Sequence, residues 1–518
     1  MVNRKIKSFV CTESEPIVQT EAGKIRGYIS NKVYCFKGVE YAYAKRFHMP
    51  QPVAPWEGVK NAHSHGCGCP EMTYSIRGRN DMNQLMIPNR YGPVSENCQN
   101  LNIWTKSISS QAKRPVMVWL HGGAYSGGSA THLFSYDGFE MCNEYDTVVV
   151  TVNHRLNMLG FFDLSDFGDR YRNSANLGMA DLVAALQWVK KNIAQFGGDP
   201  DNVTIYGQSG GGGKVITLMQ MPAADGLYHR AIIQSGVVRI GQSKEKAKLL
   251  AAKTMALLGL DSSAVKEIET MDYEKLSAAI QTAAREMGIQ NTFTMWGPVA
   301  DGEYYTGFPL DVGFRPETKD IPLIVGSCLA EFAEYIPEGD KTKWEEDKKL
   351  SLLTEYFGKG AQQVKKEFQK AYPAIDYSYA VCVDNLIRPM LLDFLNRRTE
   401  EAQAPVYNYM FAFESTYMGG QLLGHNGELH FTFHNALYVE AMCKPGVTEK
   451  LQDEMAGAWA QFAYAGNPNR MGLPMWTAYT QKEKGCLIYG DNTAMAYKHD
   501  KDLLEEVEKQ WIKPVFHP

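Results

Sequence analysis

The sequence predicts an α/β protein built on a doubly wound, mostly parallel sheet with helical insertions. Three observations carry that expectation. Short β-branched runs recur along the chain, stretches with helical periodicity stand between them, and the runs are continuously apolar rather than alternating. A strand buried on both faces by crossover helices reads in this way. The strand candidates in order are Val116–Leu120, Thr147–Val152, Val203–Tyr206, Ala231–Gln234, Ile321–Val325, Val406–Phe411 and Cys486–Tyr489. Leu182, Leu186, Val189 and Ile193 mark one face of a helix that ends at Gly197-Gly198. Leu451, Met455, Ala458 and Phe462 repeat the pattern ahead of Gly466-Asn467-Pro468. The helical stretches from Lys244 to Met287 and from Thr342 to Arg398 are long for connections, which suits lids or pocket walls over an active site. The charge runs Lys244–Lys248 and Glu345–Lys349 read as solvated helix faces.

Composition removes several classes of function. The chain has 518 residues, of which 44% are hydrophobic and 21% charged, with a formal net charge of −5. No apolar run approaches the ~18–20 residues of a membrane-spanning helix. A slightly acidic balance argues against nucleic-acid partners, whose binding rests on basic patches. Ten cysteines are too sparse for a disulfide scaffold. Near the N-terminus Arg4, Lys5 and Lys7 are followed by a stretch too short and too quickly acidic for a signal-peptide core. The expectation is a cytoplasmic chain with free thiols. With no internal repeat or low-complexity linker, residues 1–518 are expected to form one domain.

Two motifs carry chemistry. The run Val203–Tyr206 leads into Gly207-Gln208-Ser209-Gly210-Gly211, the G-x-S-x-G nucleophile elbow. A serine on a tight strand-to-helix turn needs neighbours without side chains two positions before and after it. The turn lifts its hydroxyl to a helix N-terminus, whose partial positive charge suits a developing oxyanion. Gly212 and Gly213 extend the run, which suggests close backbone approach. Upstream, Val116–Leu120 ends in His121-Gly122-Gly123-Ala124, a loop of small residues whose amides can reach a tetrahedral oxygen. Gly123, Ala124 and Gly210 are the expected oxyanion-hole donors, and His121 a brace for the loop. Together the motifs imply acyl transfer.

From here the chain resembles the type-B carboxylesterases over nearly its whole length, with cholinesterases and bacterial para-nitrobenzyl esterases among them. The matching landmarks include Phe36-Lys37-Gly38-Val39, Ser95–Asn102, Asn153-His154-Arg155-Leu156, Phe196–Pro200, Ile233–Gly236, Pro298–Gly302 and Ala465–Asn469. The resemblance implies an α/β-hydrolase fold, a small-molecule carboxylic ester as substrate and no cofactor. It also implies an acid at Glu331, five residues beyond Gly326, and a base at His425, which opens His425-Asn426-Gly427-Glu428. Ser209, Glu331 and His425 then follow in the order of a Ser-acid-His triad. Glu334 is a rival for the acid, and His430 and His434 for the base. Cys69 and Cys98 stand where secreted members of the family carry a disulfide. The usual Glu beside the nucleophile is replaced by Gln208, and the segment Tyr41–Phe47 is shorter than the family's.

Three further readings compete. His63, His65, Cys67 and Cys69 are potential metal ligands, although their single-residue steps suit zinc poorly and no metal is expected. The same fold also serves lyases or dehydratases and non-catalytic cholinesterase-like binding domains. An intact triad argues against the binding domain. Oligomeric state and the natural ester have no signature in the sequence.

Overall fold

A computed structural model describes residues 8–72, 85–331 and 340–512. The chain forms two compact units, each assembled from separated segments. The first comprises Met1–Arg79, Asn89–Ile232 and Arg239–Thr318; the second comprises Asn80–Pro88, Ile233–Val238 and Lys319–Pro518.

In the first unit the sheet order is Phe9–Val10, Tyr28–Ser30, Val33–Glu40, Asn100–Thr105, Val148–Val152, Arg114–Leu120 and Gly198–Gln208. Pairing is antiparallel as far as Val148–Val152. It is parallel across Val148–Val152, Arg114–Leu120 and Gly198–Gln208. At the centre Val118 lies opposite Val150 on one side and Ile205 on the other, all fully buried. β-Branched side chains pack well on such a two-sided pleated surface. The strand Arg230–Gln234 ends this unit with its first three residues and places its last two in the second unit. There Leu323–Cys328, Val406–Phe411 and Gly485–Tyr489 pair in parallel, and Ala494–Tyr497 closes the edge antiparallel.

All seven strands expected from the apolar runs are present, and several are longer. Gly198–Gln208 has eleven residues, because Gly198–Asn202 forms a polar, partly exposed lead-in with a register irregularity before Val203. The antiparallel strands before residue 110 were not expected. Several have only two or three residues of mixed exposure, too short for a periodic signal.

Helix Leu177–Asn192 continues through a 3₁₀ turn, Ile193–Phe196, and stops where Gly197 takes a left-handed conformation, φ 73°. Thr448–Ala465 ends the same way at Gly466, φ 70°. The stretch from Lys244 holds helices Lys244–Leu257 and Tyr273–Glu286, both in the first unit. The stretch from Thr342 holds Glu346–Phe357, Ala361–Ala371 and Ile387–Glu401. The first two of these close around Leu353, Phe357, Val364, Phe368 and Tyr379. Among the described residues no helix is long and apolar enough to cross a membrane.

One buried ion pair orders the loop after Val148–Val152. The Arg155 guanidinium donates to both carboxylate oxygens of Asp181 at 2.8 and 2.7 Å, and its backbone N–H adds a third bond at 3.0 Å. Both side chains are essentially inaccessible. Removing one partner of such a pair leaves a charge in a low-dielectric interior, at about 3–5 kcal/mol. Asp181→Ala is therefore expected to lower the urea-unfolding midpoint by an amount equivalent to about 3–5 kcal/mol. Tryptophan fluorescence along a urea titration checks it.

Candidate active site

The elbow is built as a steric device. Ser209 has φ 57° and ψ −128°, a region that costs a residue with a side chain about 1–3 kcal/mol and persists only where its surroundings enforce it. The enforcement comes from backbone packed on backbone. A Cβ on Gly210 would lie 2.3 Å from the Ala124 Cα, and one on Gly211 would lie 2.0 Å from the Leu120 carbonyl oxygen. No side chain fits at either position. The Ser209 carbonyl accepts the Gly213 N–H at 3.0 Å and opens helix Gly210–Met219. Ser209 is partly exposed at the positive end of that helix.

The loop His121–Ala124 lies against this turn. A Cβ on Gly122 would come within 3.5 Å of the Ser209 Cβ. Gly123 at φ 90° and Ala124 at φ 50° turn the chain there. Gly210 is the first helical residue, so its N–H has no acceptor within the helix. Ser209, Gly123, Ala124 and Gly210 are thus neighbours, as the motifs imply. Gln208 is fully buried, and neither of its amide atoms has a hydrogen-bond partner among the described residues. A neutral amide tolerates that setting better than a carboxylate would.

The second unit holds an acid–base pair. Strand Leu323–Cys328 runs into a turn that carries Glu331, which is buried. Its Oε1 accepts the Cys328 N–H at 2.7 Å, and its Oε2 lies 2.5 Å from His425 Nδ1. The His425 backbone N–H also donates to the Glu331 carbonyl at 2.9 Å. A carboxylate only accepts, so Nδ1 carries the proton and Nε2 keeps its lone pair. Burial pulls the imidazole pKa down, but Glu331, then Glu428 and Asp384, outweigh it and raise it above its ordinary value.

Glu428 and Asp384 were not foreseen as part of this pair's surroundings. Glu428 is fully buried, accepts the Cys328 thiol at 3.1 Å, and is pushed up to about 7 by burial and by Glu331. Asp384 accepts the N–H groups of Leu386, Ile387 and Arg388, capping helix Ile387–Glu401. Burial and Glu331 nevertheless push it up to about 7 as well. Three carboxyl groups share one dry region, and the two that are not bonded to His425 are pushed up. Glu428 had a sequence signal, three residues after His425; Asp384 had none.

The rival residues sit elsewhere. Glu334 lies outside the described residues. Burial pushes the His430 imidazole down to about 4, so it is a neutral core ring. His434 Nε2 lies 2.7 Å from Asp453 Oδ1. In the His63–Cys69 stretch three of the four candidate ligands have other partners: His63 with the Cys11 thiol, His65 with Asn102, and the Cys69 sulfur with the Leu156 N–H. The Cys69 and Cys98 thiols interact directly without forming a disulfide.

Two titrations test this electrostatic picture. In Glu331→Gln the largest contribution that raises His425 is gone, so the imidazole should titrate below its wild-type value; histidine-labelled NMR reads it. Glu428 has a folded value of about 7 against ~4.3 unfolded. Its contribution to stability is complete below the unfolded value and is lost as pH rises to about 7. Glu428→Gln removes that loss. The variant should show a flatter stability profile between about pH 4.5 and 7 than the wild type, by urea titration at each pH.

Comparison with known proteins gives a consistent result. The family model described as "Carboxylesterase family" matches residues 14–506. The para-nitrobenzyl esterase of Bacillus subtilis is 32% identical over 484 residues, covering 91% of this chain and 94% of that protein. Liver carboxylesterase 1 of Oryctolagus cuniculus is 30% identical over 97% of this chain and 94% of its own. Among solved structures, an esterase from Clostridium hathewayi superposes with a TM-score of 0.92 at 39% identity, covering 98% of this chain and 100% of that one. A thermophilic PNB esterase superposes with a TM-score of 0.75 at 29% identity, over 95% of this chain and 100% of its own.

Proposed function

The chain belongs to the carboxylesterase family and is a hydrolase acting on carboxylic esters, and from that premise we propose a serine mechanism run by Ser209, His425 and Glu331. The observation that carries the reading is the bond between His425 Nδ1 and Glu331. It fixes the tautomer whose Nε2 can take a proton, beside an anion that stabilises the imidazolium once formed.

In this mechanism Ser209 Oγ attacks the ester carbonyl carbon and its proton passes to His425 Nε2. The carbonyl π pair moves onto oxygen, where the N–H groups of Gly123, Ala124 and Gly210 receive it. Collapse of the tetrahedral adduct breaks the bond to the alcohol oxygen, which leaves with the proton from His425. Water then adds to the acyl-enzyme with His425 as base, and the acid is released as Ser209 regains its proton. Glu331 stays ionised throughout. No step calls on a metal or an organic cofactor.

For substrate, the Clostridium hathewayi esterase can hydrolyse aliphatic aromatic polyesters. We therefore propose that small esters of aromatic acids with aliphatic alcohols fall within this chain's range. Ser209→Ala should abolish hydrolysis of p-nitrophenyl butyrate and of a soluble terephthalate diester, with the thermal transition unchanged. An organophosphate should add one phosphoryl group to the wild type, at Ser209 by peptide mass spectrometry. Residual turnover in the variant, or labelling elsewhere, removes the serine mechanism; inactivity on the diester alone removes only the aromatic range.

A further inference from the structure

Helix Gly210–Met219 carries a lysine in its second turn that the mechanism above leaves unused. Lys214 is fully buried, and its Nζ donates to the carbonyl of His121 at 2.9 Å. Three features make it anomalous. Lysine is seldom buried completely, and a cation near a helix N-terminus opposes the backbone dipoles. Moreover, among the described residues that set its protonation none is a carboxylate: burial pushes it down to about 7, and the Cys69 thiol works the other way.

Among the described residues its titratable neighbours are imidazoles, and the acid against the loop that follows His121–Ala124 is Glu71, which accepts the Gly128 N–H at 2.9 Å. The imidazoles of His121, His132 and His154 are each held below their usual range, by burial first and with Lys214 contributing. His121 and His154 stack at 5.1 Å between centroids, with an interplanar angle of 25°. Each has its Nδ1 2.8 Å from a backbone carbonyl oxygen, those of Gly122 and Arg155 respectively. The Tyr125 ring lies with its centroid 5.7 Å from the ammonium.

A scaffold role explains this poorly, because an apolar residue of similar shape would hold the helix without a buried charge. What the location offers is proximity to the oxyanion loop. Lys214 is four residues after Gly210 on the same helix face, about 6 Å along the axis. Its acceptor is the first carbonyl of the His121–Ala124 loop. We propose that Lys214 is a positioning residue for the oxyanion hole: it holds the loop through the His121 carbonyl, and its positive charge finds its counter-ion in the oxyanion that forms during acyl transfer. This rests on the serine mechanism proposed above. The cost of the isolated ammonium falls in the resting enzyme and is relieved in the transition state, which is the differential that accelerates a reaction.

The test uses Lys214→Met, which keeps length without charge, and Lys214→Gln, which keeps an N–H donor without charge. Ser209→Ala runs in parallel, all on the full chain with p-nitrophenyl butyrate. Lys214→Met should lose about tenfold or more in kcat with KM within about twofold, the signature of an interaction made in the transition state. It should bind an aryl trifluoromethyl ketone, whose serine adduct is an oxyanion, more weakly by a similar factor. Its melting temperature should be unchanged or higher, and Lys214→Gln should recover only part of the loss.

Four results overturn the proposal. These are wild-type kcat and ketone affinity in Lys214→Met; a fall in kcat matched by a fall in melting temperature; full recovery by Lys214→Gln; and failure of both variants to fold, which would assign the lysine to the scaffold. Activity in Ser209→Ala would instead refute the serine mechanism itself.

Discussion

The serine turn of this protein depends on a lack of room. The first turn of helix Gly210–Met219 and the loop after strand Arg114–Leu120 touch backbone to backbone, with gaps that admit hydrogen and nothing larger. That contact holds Ser209 in a conformation that a serine would otherwise leave. The same closeness puts the loop amides beside the serine. Strain and donor placement are one arrangement, and a methyl group at Gly210 or Gly211 would disturb both. The buried Arg155–Asp181 pair works on the same surroundings from behind, since the residue before Arg155 is the His154 that stacks on His121.

The two units use burial to opposite electrostatic ends. The second gathers three carboxyl groups around Cys328 and His425, so that one of them is bonded to the imidazole while its neighbours are pushed towards neutrality. The first gathers helix N-terminal amides, a lysine and three neutral imidazoles, with no carboxylate among the described residues that set the lysine's charge. In each case desolvation makes a single charge count for more than it would in water. Ester hydrolysis asks for this division: an anion beside the base, and positive potential where the carbonyl oxygen becomes negative.

What the sequence disclosed follows from what each feature demands. The parallel strands were legible because burial on both faces leaves few polar positions, as in Val116–Leu120, which has none. The short antiparallel strands before residue 110 were not, since two or three residues carry no period. Ser209 and the loop His121–Ala124 were legible because a glycine required by close approach is written directly in the chain. Glu331 and His425 stood out only through resemblance to a family, because one Glu and one His obey no local rule. Lys214 and Asp384 owe their character to being buried, and charged residues give no such signal by themselves; Glu428 was marked only by its place three residues after His425. The α/β-hydrolase architecture is shared with the structural neighbours.

The discontinuous make-up of the two units bears on how the chain is born. Every segment of the first unit precedes residue 319, whereas the second draws most of its residues from Lys319 onward. Synthesis runs from the N-terminus, and domains fold as units while it proceeds. The strained serine turn and its amide loop are therefore assembled while the stretch containing Glu331 and His425 is still being translated. On the proposed mechanism, a nascent chain holds its nucleophile in place before it holds a base. On that mechanism, esterase activity requires that the C-terminal stretch has emerged and folded, so that prematurely terminated products would be inert towards the esters of the cell that makes them.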